Sequence, residues 1–481
     1  MGPLLLLFLQ ASAYQAGMQA YGAHRFAEAI PFFEKAAAGG GSQALVAEYM
    51  LGSACVQVHR DEKAVQSFAA LFQVAPGSAA AHLLTAEMML RAQMTAGAAM
   101  EAGRALEIDA HIPQARYILG RAALSKGDDG KAISELQNEI ASNPGFFMAY
   151  YRLGGAYENR GAWDDAISTL QRCIWLNPNH SGPYALIGKA YLKRGDPDDA
   201  AGALRHALQM DPLDKAIREL LDQATGPLSL APGSAHSPKP AAPSPQTIGR
   251  KEYLAGRIQT AIQWLEKARA AGEQSNDLFF MLGNCYLQAR QVAKGRAAFA
   301  DLYGVPADSG AARLFTAHML MRLEFEDDAQ AELEAALARE PKLPEAHYML
   351  GEIAIYHAQL EPAADELNRE IALNPGFAMA YYRLGDAYTR REDWEHAVPP
   401  LQRAVWLDPT YSGPYILLGK TYLKKGDLPE AERMLRRALQ MDPKNASAHY
   451  LLGRTLIQSG HADEGKKLLH RWEELRKESG Q

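Results

Sequence analysis

Cysteine is scarce in this chain. Cys55, Cys173 and Cys285 are the only three among 481 residues, too few and too scattered for a disulfide framework or a thiolate metal cage. Neither sign of charge dominates: 50 Lys+Arg stand against 56 Asp+Glu, a formal net charge of −6, with a pI near 6.2. That balance excludes the electrostatic footprint of a non-specific nucleic-acid binder. Long apolar runs are also missing. The longest, Leu4 to Leu9, falls far short of the roughly 20 residues that span a bilayer. Apolar material in general is plentiful, with 48% hydrophobic and 22% charged residues. Wholesale disorder and collagen-like or mucin-like polymers are thereby excluded. Length alone suggests roughly two to four domains.

The two ends carry their own signals. Leu4 to Leu9 is followed by Gln10 and Ala11-Ser12-Ala13, a small-x-small pattern typical of a cleaved secretory signal peptide. No Lys or Arg precedes the run. We read residues 1–13 as a signal peptide and the product as exported, periplasmic or secreted. The competing reading is a first helix packed on its neighbour in a cytoplasmic protein. At the other end, Lys466 to Lys477 places Leu468, Leu469, Trp472 and Leu475 on one face of a charged amphipathic helix.

A fixed spacing runs between these ends. Small residues fall at Gly249, Gly283, Ala317, Gly351, Gly385, Gly419 and Gly453, each 34 apart. In the first half they fall at Gly17, Gly52, Ala86, Gly120, Gly154 and Gly188, with one 35-residue step. Twelve residues after each stands a second small residue, from Ala29 to Gly465, and all thirteen units obey both constraints. Such a period is the mark of a repeat architecture. The best-preserved unit reads Tyr381-Tyr382-Arg383-Leu384-Gly385-Asp386-Ala387-Tyr388, then Trp394, Ala397, Leu401, Ala404 and Pro409. On these residues the chain resembles the tetratricopeptide repeat (TPR) family from Tyr14 to Leu475, one linker excepted. The resemblance implies an all-α, right-handed α-solenoid of antiparallel helix pairs.

The pattern also has a physical reading of its own. Two helices of about 14 residues, each near 20 Å long, must pack along their length. A small residue at the crossing lets the backbones approach, while Leu153, Leu170, Leu384 and Leu401 fill the space around it. Gly127, Gly161, Gly195, Gly426 and Gly460 sit seven residues later, where a left-handed residue ends the first helix. Glu392 replaces that glycine in one unit, so its turn is expected to be more strained or built differently. Six Asn-Pro or Asp-Pro pairs, Asn143-Pro144 to Asp442-Pro443, end second helices, because the residue before proline avoids helical dihedrals.

The halves are copies at a constant offset of 231: Ile140 to Phe146 recurs as Ile371 to Phe377, and Ser181-Gly182-Pro183-Tyr184 as Ser412-Gly413-Pro414-Tyr415. Between them lies 226–246 with six prolines, a semi-stiff spacer that would reach roughly 65 Å in polyproline II at about 3.1 Å per residue. We expect two arrays, each with its own core. Residues 14–225 hold six repeats and a capping helix from Leu213 to Ala224. Residues 247–481 hold seven repeats, the last one capping.

Catalytic chemistry finds little footing. Gly413 to Thr421 imitates a phosphate loop, but it has five apolar residues between its glycines where that loop needs four, and it falls inside a helix. His82, His347 and His449 share one repeat position on different units, where a satisfied imidazole is the better reading than a metal ligand. The cysteines read as buried structure. No segment is left to house a catalytic domain, so we expect no enzyme, no cofactor and no metal.

In a TPR-like array the first helix of each unit lines a concave groove. Three residues before the first small position stand Tyr14, Tyr49, Tyr117, Tyr151, Phe280, Tyr348, Tyr382 and Tyr450. This aromatic ladder is either a track for a bound peptide or packing between adjacent first helices. Arg121, Lys189 and Lys420 follow the small residue, with Lys193 and Lys424 one turn on. They make either a cationic groove end that receives an acidic segment or a solvated face. We therefore expect a non-catalytic scaffold in the bacterial cell envelope that binds protein or peptide segments. Two grooves joined by a spacer suggest bivalency, which can raise avidity by about 10²–10⁴. The alternatives are a self-associating assembly protein, in which arrays pack on each other, and a regulatory subunit of an enzyme encoded elsewhere.

Overall fold

The computed structural model describes residues 3–39, 44–226 and 243–478, with backbone alone for 3–12. The side chains of the apolar run Leu4 to Leu9 and the spacer residues 227–242 lie outside the described residues. Those described form 27 α-helices and no strand, which bears out the all-α solenoid. Each 34-residue unit is a helix pair. Phe147–Asn159 followed by Trp163–Leu176 is typical.

The spacing works as the close-packing argument requires. A Cβ added at Gly154 would stand 2.6 Å from Leu170, and one at Gly188 would stand 2.6 Å from Leu204. In both cases the blocking leucine lies sixteen residues on and is fully buried. The second small position is equally tight, with Ala166, Ala200, Ala397 and Ala431 all fully buried. The helix Lys215–Thr225 caps the preceding repeat with Ile217 and Ala224. Its start is set by Asp214, whose carboxylate accepts from the amides of Ala216 and Ile217. At the C-terminal end, Leu475 of Ala462–Glu478 is buried and Trp472 lies 5.0 Å from Tyr450.

The turn between paired helices is left-handed in all thirteen units. Glycine supplies it at six, including Gly161 at φ 71°. His24, His59, Gln93, Arg290, Glu324, Ala358 and Glu392 supply it at the other seven, Glu392 at φ 60°. The Glu392 turn is therefore built like the Gly161 turn, and the strain falls on a residue with a Cβ. Before each Asx-Pro proline the chain leaves the helix as expected: Asn177 sits at φ −137°, ψ 92° and Asp408 at φ −138°, ψ 92°.

Contacts divide the chain into two compact units, Met1–Ile118 with His347–Gln481, and Leu119–Ala346. The compact unit is thus not the array: each unit draws repeats from both halves of the sequence. Inside the first unit Tyr49 stacks on Trp406 (centroids 5.3 Å, interplanar 8°) and Phe72 meets Tyr381 edge-on at 6.0 Å. The Arg403 Nε donates to the Leu71 carbonyl at 2.9 Å, and Gln114 donates to the Asn374 Oδ1 at 3.0 Å. Inside the second unit the duplicated residues repeat the theme. Phe280 stacks on Trp175 (4.6 Å, 8°) and Tyr150 meets Tyr303 edge-on at 6.3 Å. Arg322 donates to the Trp175 carbonyl at 2.6 Å, and Asn276 donates to Ser168 at 2.8 Å.

Candidate functional site

The aromatic ladder is already occupied along much of its length. Tyr151 faces His180 at 5.3 Å, with the Arg152 guanidinium 5.2 Å from its ring. Tyr348 meets Phe377 edge-on at 5.0 Å and Tyr382 meets Tyr411 at 5.2 Å. In all three pairs the partner lies 29 residues on, in the next repeat, so the register that aligns the rungs also brings a neighbour over each. Tyr117 and Tyr348 are buried. Burial pushes the Tyr348 and Tyr382 hydroxyls well above the ordinary phenol range, so both remain neutral donors. Two more rungs, Tyr49 and Phe280, are covered by Trp406 and Trp175 from the other array. The tryptophans that do this follow no repeat rule in the first-helix pattern. Their one sequence signal was that they recur 231 residues apart.

The cations are placed differently from one another. Arg121 is half-buried on Ala115–Ser125. Lys189 sits 3.2 Å from the carboxylate of Glu158, whose side chain is 5% exposed. Burial raises the Glu158 pKa against the opposing pull of Lys189, so that ion pair is partly spent on offsetting desolvation. Lys193 is exposed. In the second array the residue corresponding to Glu158 is Thr389, whose hydroxyl donates to the Gly385 carbonyl at 2.7 Å. Lys420 is half-buried like Lys189, but among the described residues it has no ion pair to match Lys189–Glu158. Lys424, one turn on, is exposed and lies 6.0 Å from the Trp394 ring centroid.

Other singled-out residues are accounted for structurally. The His82 and His347 rings each meet a glutamate, Glu101 and Glu366, at 2.6 Å, and the His449 Nε2 lies 2.9 Å from the Pro443 carbonyl oxygen. The three cysteines are buried free thiols. Gly413 to Thr421 runs within the helix Ser412–Lys425, which leaves no loop to cradle a phosphate. Among the described residues no cluster of His, Cys, Asp or Glu is arranged to hold a metal ion, and no helix is long and apolar enough to cross a membrane. A cavity lined by Tyr381 and Arg403 had no counterpart in the sequence reading.

Two family models, both described as tetratricopeptide repeat, match the chain in each half. One covers 159–224 and 422–479, the other 119–178 and 348–412. No curated protein matches. Among solved structures, MamA is 23% identical over 34% of this chain and 96% of its own, with a TM-score of 0.32. YrrB, described as a TPR protein with an unusual peptide-binding site, is 20% identical over 38% of this chain and 93% of its own, with a TM-score of 0.33. The Naa15/Naa10 complex bound to HypK-THB matches 97% of this chain and 94% of its own at 12% identity and a TM-score of 0.35. With the 34-residue helix pairs, the crossing residues and two matching family models in each half, the chain is a tetratricopeptide repeat protein whose array is duplicated in tandem.

Proposed function

We propose that the protein is a non-catalytic scaffold whose contact patch for protein segments lies in the late repeats of the second array, centred on Lys420 and Lys424. One observation carries this reading. At the corresponding place in the first array Lys189 is answered by Glu158, whereas Thr389 leaves Lys420 unanswered. A half-buried lysine without a carboxylate gains more from an incoming acidic group than one already paired. The exposed Lys424, 6.0 Å from the half-buried Trp394 ring of the preceding helix pair, extends the patch. An acidic, extended segment fits this chemistry. Lys193 offers a weaker second contact in the first array, which keeps bivalent engagement within the proposal.

The test uses fluorescence anisotropy with a labelled Asp/Glu-rich peptide. Lys420→Glu with Lys424→Glu should weaken binding by roughly tenfold or more at low salt and leave helicity unchanged. Lys189→Glu should weaken it less. Equal affinity of all three proteins would sink the proposal.

Export belongs to the same proposal and rests on Leu4 to Leu9 and the small-residue motif behind it. A second reading, an assembly role through array-to-array packing, is favoured by the Tyr49–Trp406 and Phe280–Trp175 stacks. Light scattering at high concentration separates the two, since this reading extends such packing to contacts between copies.

A further inference from the structure

A cavity of about 630 Å³ opens where residues 72–80 meet the helices Ala378–Arg390 and Trp394–Leu407, all within the first compact unit. Its size falls in the range of small-molecule sites, about 300–1,000 Å³. Phe72, Val74, Ile371, Leu384, Pro399 and Pro400 give it an apolar wall. Gln73, Ser78, Asn368, Tyr388 and His396 add polar groups to the lining. Two more, Arg403 and Tyr381, carry buried atoms with no hydrogen-bond partner. Arg403 is 8% exposed; its Nε donates to the Leu71 carbonyl, but its Nη2 is buried without a hydrogen-bond partner. Tyr381 is 1% exposed, and its hydroxyl has no partner either.

Among the described residues no carboxylate pairs with Arg403; its one notable electrostatic neighbour is Tyr381, and burial pulls its pKa below the ordinary arginine value. A buried cation without a counter-ion is among the costliest arrangements a fold can keep. The duplicated copy satisfies its tyrosine but not its arginine, since Arg172, the counterpart of Arg403, also keeps a buried Nε without a hydrogen-bond partner. Tyr150, the counterpart of Tyr381, donates its hydroxyl to the Pro144 carbonyl at 3.1 Å. Pro399 and Pro400 stand where the other copy has Ser168 and Thr169, and Ser168 there accepts from Asn276. Two prolines inside a helix break a local rule, and here they strip hydroxyls and amides from the wall around Arg403.

We propose that this cavity binds a small organic acid, a carboxylate monoanion whose oxygens take hydrogen bonds from Arg403 Nη2 and the Tyr381 hydroxyl while its apolar body fills the space between Phe72 and Pro400. The unpaired Arg403 guanidinium calls for one negative charge, and the apolar part of the lining favours an acid with an apolar body over a bare inorganic anion. None of Trp394, Lys420 and Lys424 lines the cavity, and both lysines lie on the next helix, Ser412–Lys425. The cavity site therefore stands or falls independently of the scaffold proposal.

The experiment is isothermal titration of the full chain with phenylbutyrate. The comparison probes are phenylbutyramide, inorganic sulfate and N-acetyl-alanyl-phenylalanine. Saturable binding of phenylbutyrate is expected, at least tenfold tighter than the amide and lost by a similar factor in Arg403→Met, as for a charge-assisted hydrogen bond of roughly 1.5–3 kcal/mol. Tyr381→Phe should weaken binding about threefold or more. It removes a hydroxyl that bonds nothing in the protein, so it keeps the test valid if Arg403→Met does not fold, as circular dichroism will show. The proposal is overturned by no binding of phenylbutyrate up to about 10 mM, by equal binding of acid and amide, or by unchanged affinity in Tyr381→Phe. Tighter binding of the acetylated dipeptide would replace the free acid with a chain terminus. Sulfate binding as tight as phenylbutyrate would refute the role of the apolar wall.

Discussion

The left-handed turn at Glu392 can be tested by exchange with its duplicate. Glu392 and Gly161 occupy corresponding turns at φ 60° and 71°. The hydrogen bonds match: Glu392 N–H donates to Thr389 and Asp393 N–H to Tyr388, while Gly161 donates to Glu158 and Ala162 to Tyr157. Glu392 is exposed and its carboxylate makes no ion pair among the described residues, so a substitution removes no such interaction. Relief of the left-handed conformation is worth about 1–2 kcal/mol, and the greater freedom of glycine in the unfolded chain returns about 0.4–1 kcal/mol of that. Glu392→Gly should therefore stabilise its hairpin by about 0.5–1 kcal/mol. Gly161→Ala should cost a similar amount, because a Cβ there meets nothing closer than Trp163 at 3.8 Å. Repeat arrays open locally, so the readout is hydrogen exchange over Ala378–Arg390 and Trp394–Leu407, and over their counterparts. Protection that falls in Glu392→Gly, or that is unchanged in both variants, would refute the shared geometry.

Other outcomes follow from the packing. Trp406 is 9% exposed and stacked on Tyr49, so Trp406→Ala should destabilise its unit by about 3–5 kcal/mol. A double-mutant cycle with Tyr49→Ala should show coupling of about 0.5–1.5 kcal/mol; additive losses would mean the rings do not touch. Burial pushes Cys55 up to about 11, and Cys173 and Cys285 up to about 12. The unfolded thiols then ionise first as pH rises above about 8.5, so this contribution to stability is intact at neutral pH and is lost progressively in alkali. Iodoacetamide near neutral pH should label none of the three until denaturant is added, and native labelling would contradict the burial. Sequencing of the mature protein should begin at Tyr14, and an intact Met1 would end the export proposal.

The sequence made the hairpin legible because its spacing is imposed by contact. Gly154 cannot carry a side chain while Leu170 stands where it does, and a constraint of that kind repeats with the unit. The turn was half legible. Glycine announces a left-handed residue, but His59 or Glu392 can be held in that conformation by the hairpin and leave no mark in composition. The ladder was visible as a row of aromatics, yet the residues covering it were not. His180, Phe377 and Tyr411 belong to the next repeat, and Trp406 is packed by a rung 357 residues earlier in the chain. The same holds for Arg403, whose bond to Leu71 spans 332 residues. Nothing local distinguishes it from the many exposed arginines on second helices.

Cleavage of the chain at a protease site placed within residues 227–242, followed by size-exclusion chromatography with light scattering, tests most directly whether the two halves hold each other. The Tyr49–Trp406 and Phe280–Trp175 stacks, together with the Gln114–Asn374 and Asn276–Ser168 bonds, predict that the fragments co-elute as one helical complex at the mass of the uncut chain. Two separately eluting, fully folded halves would contradict it.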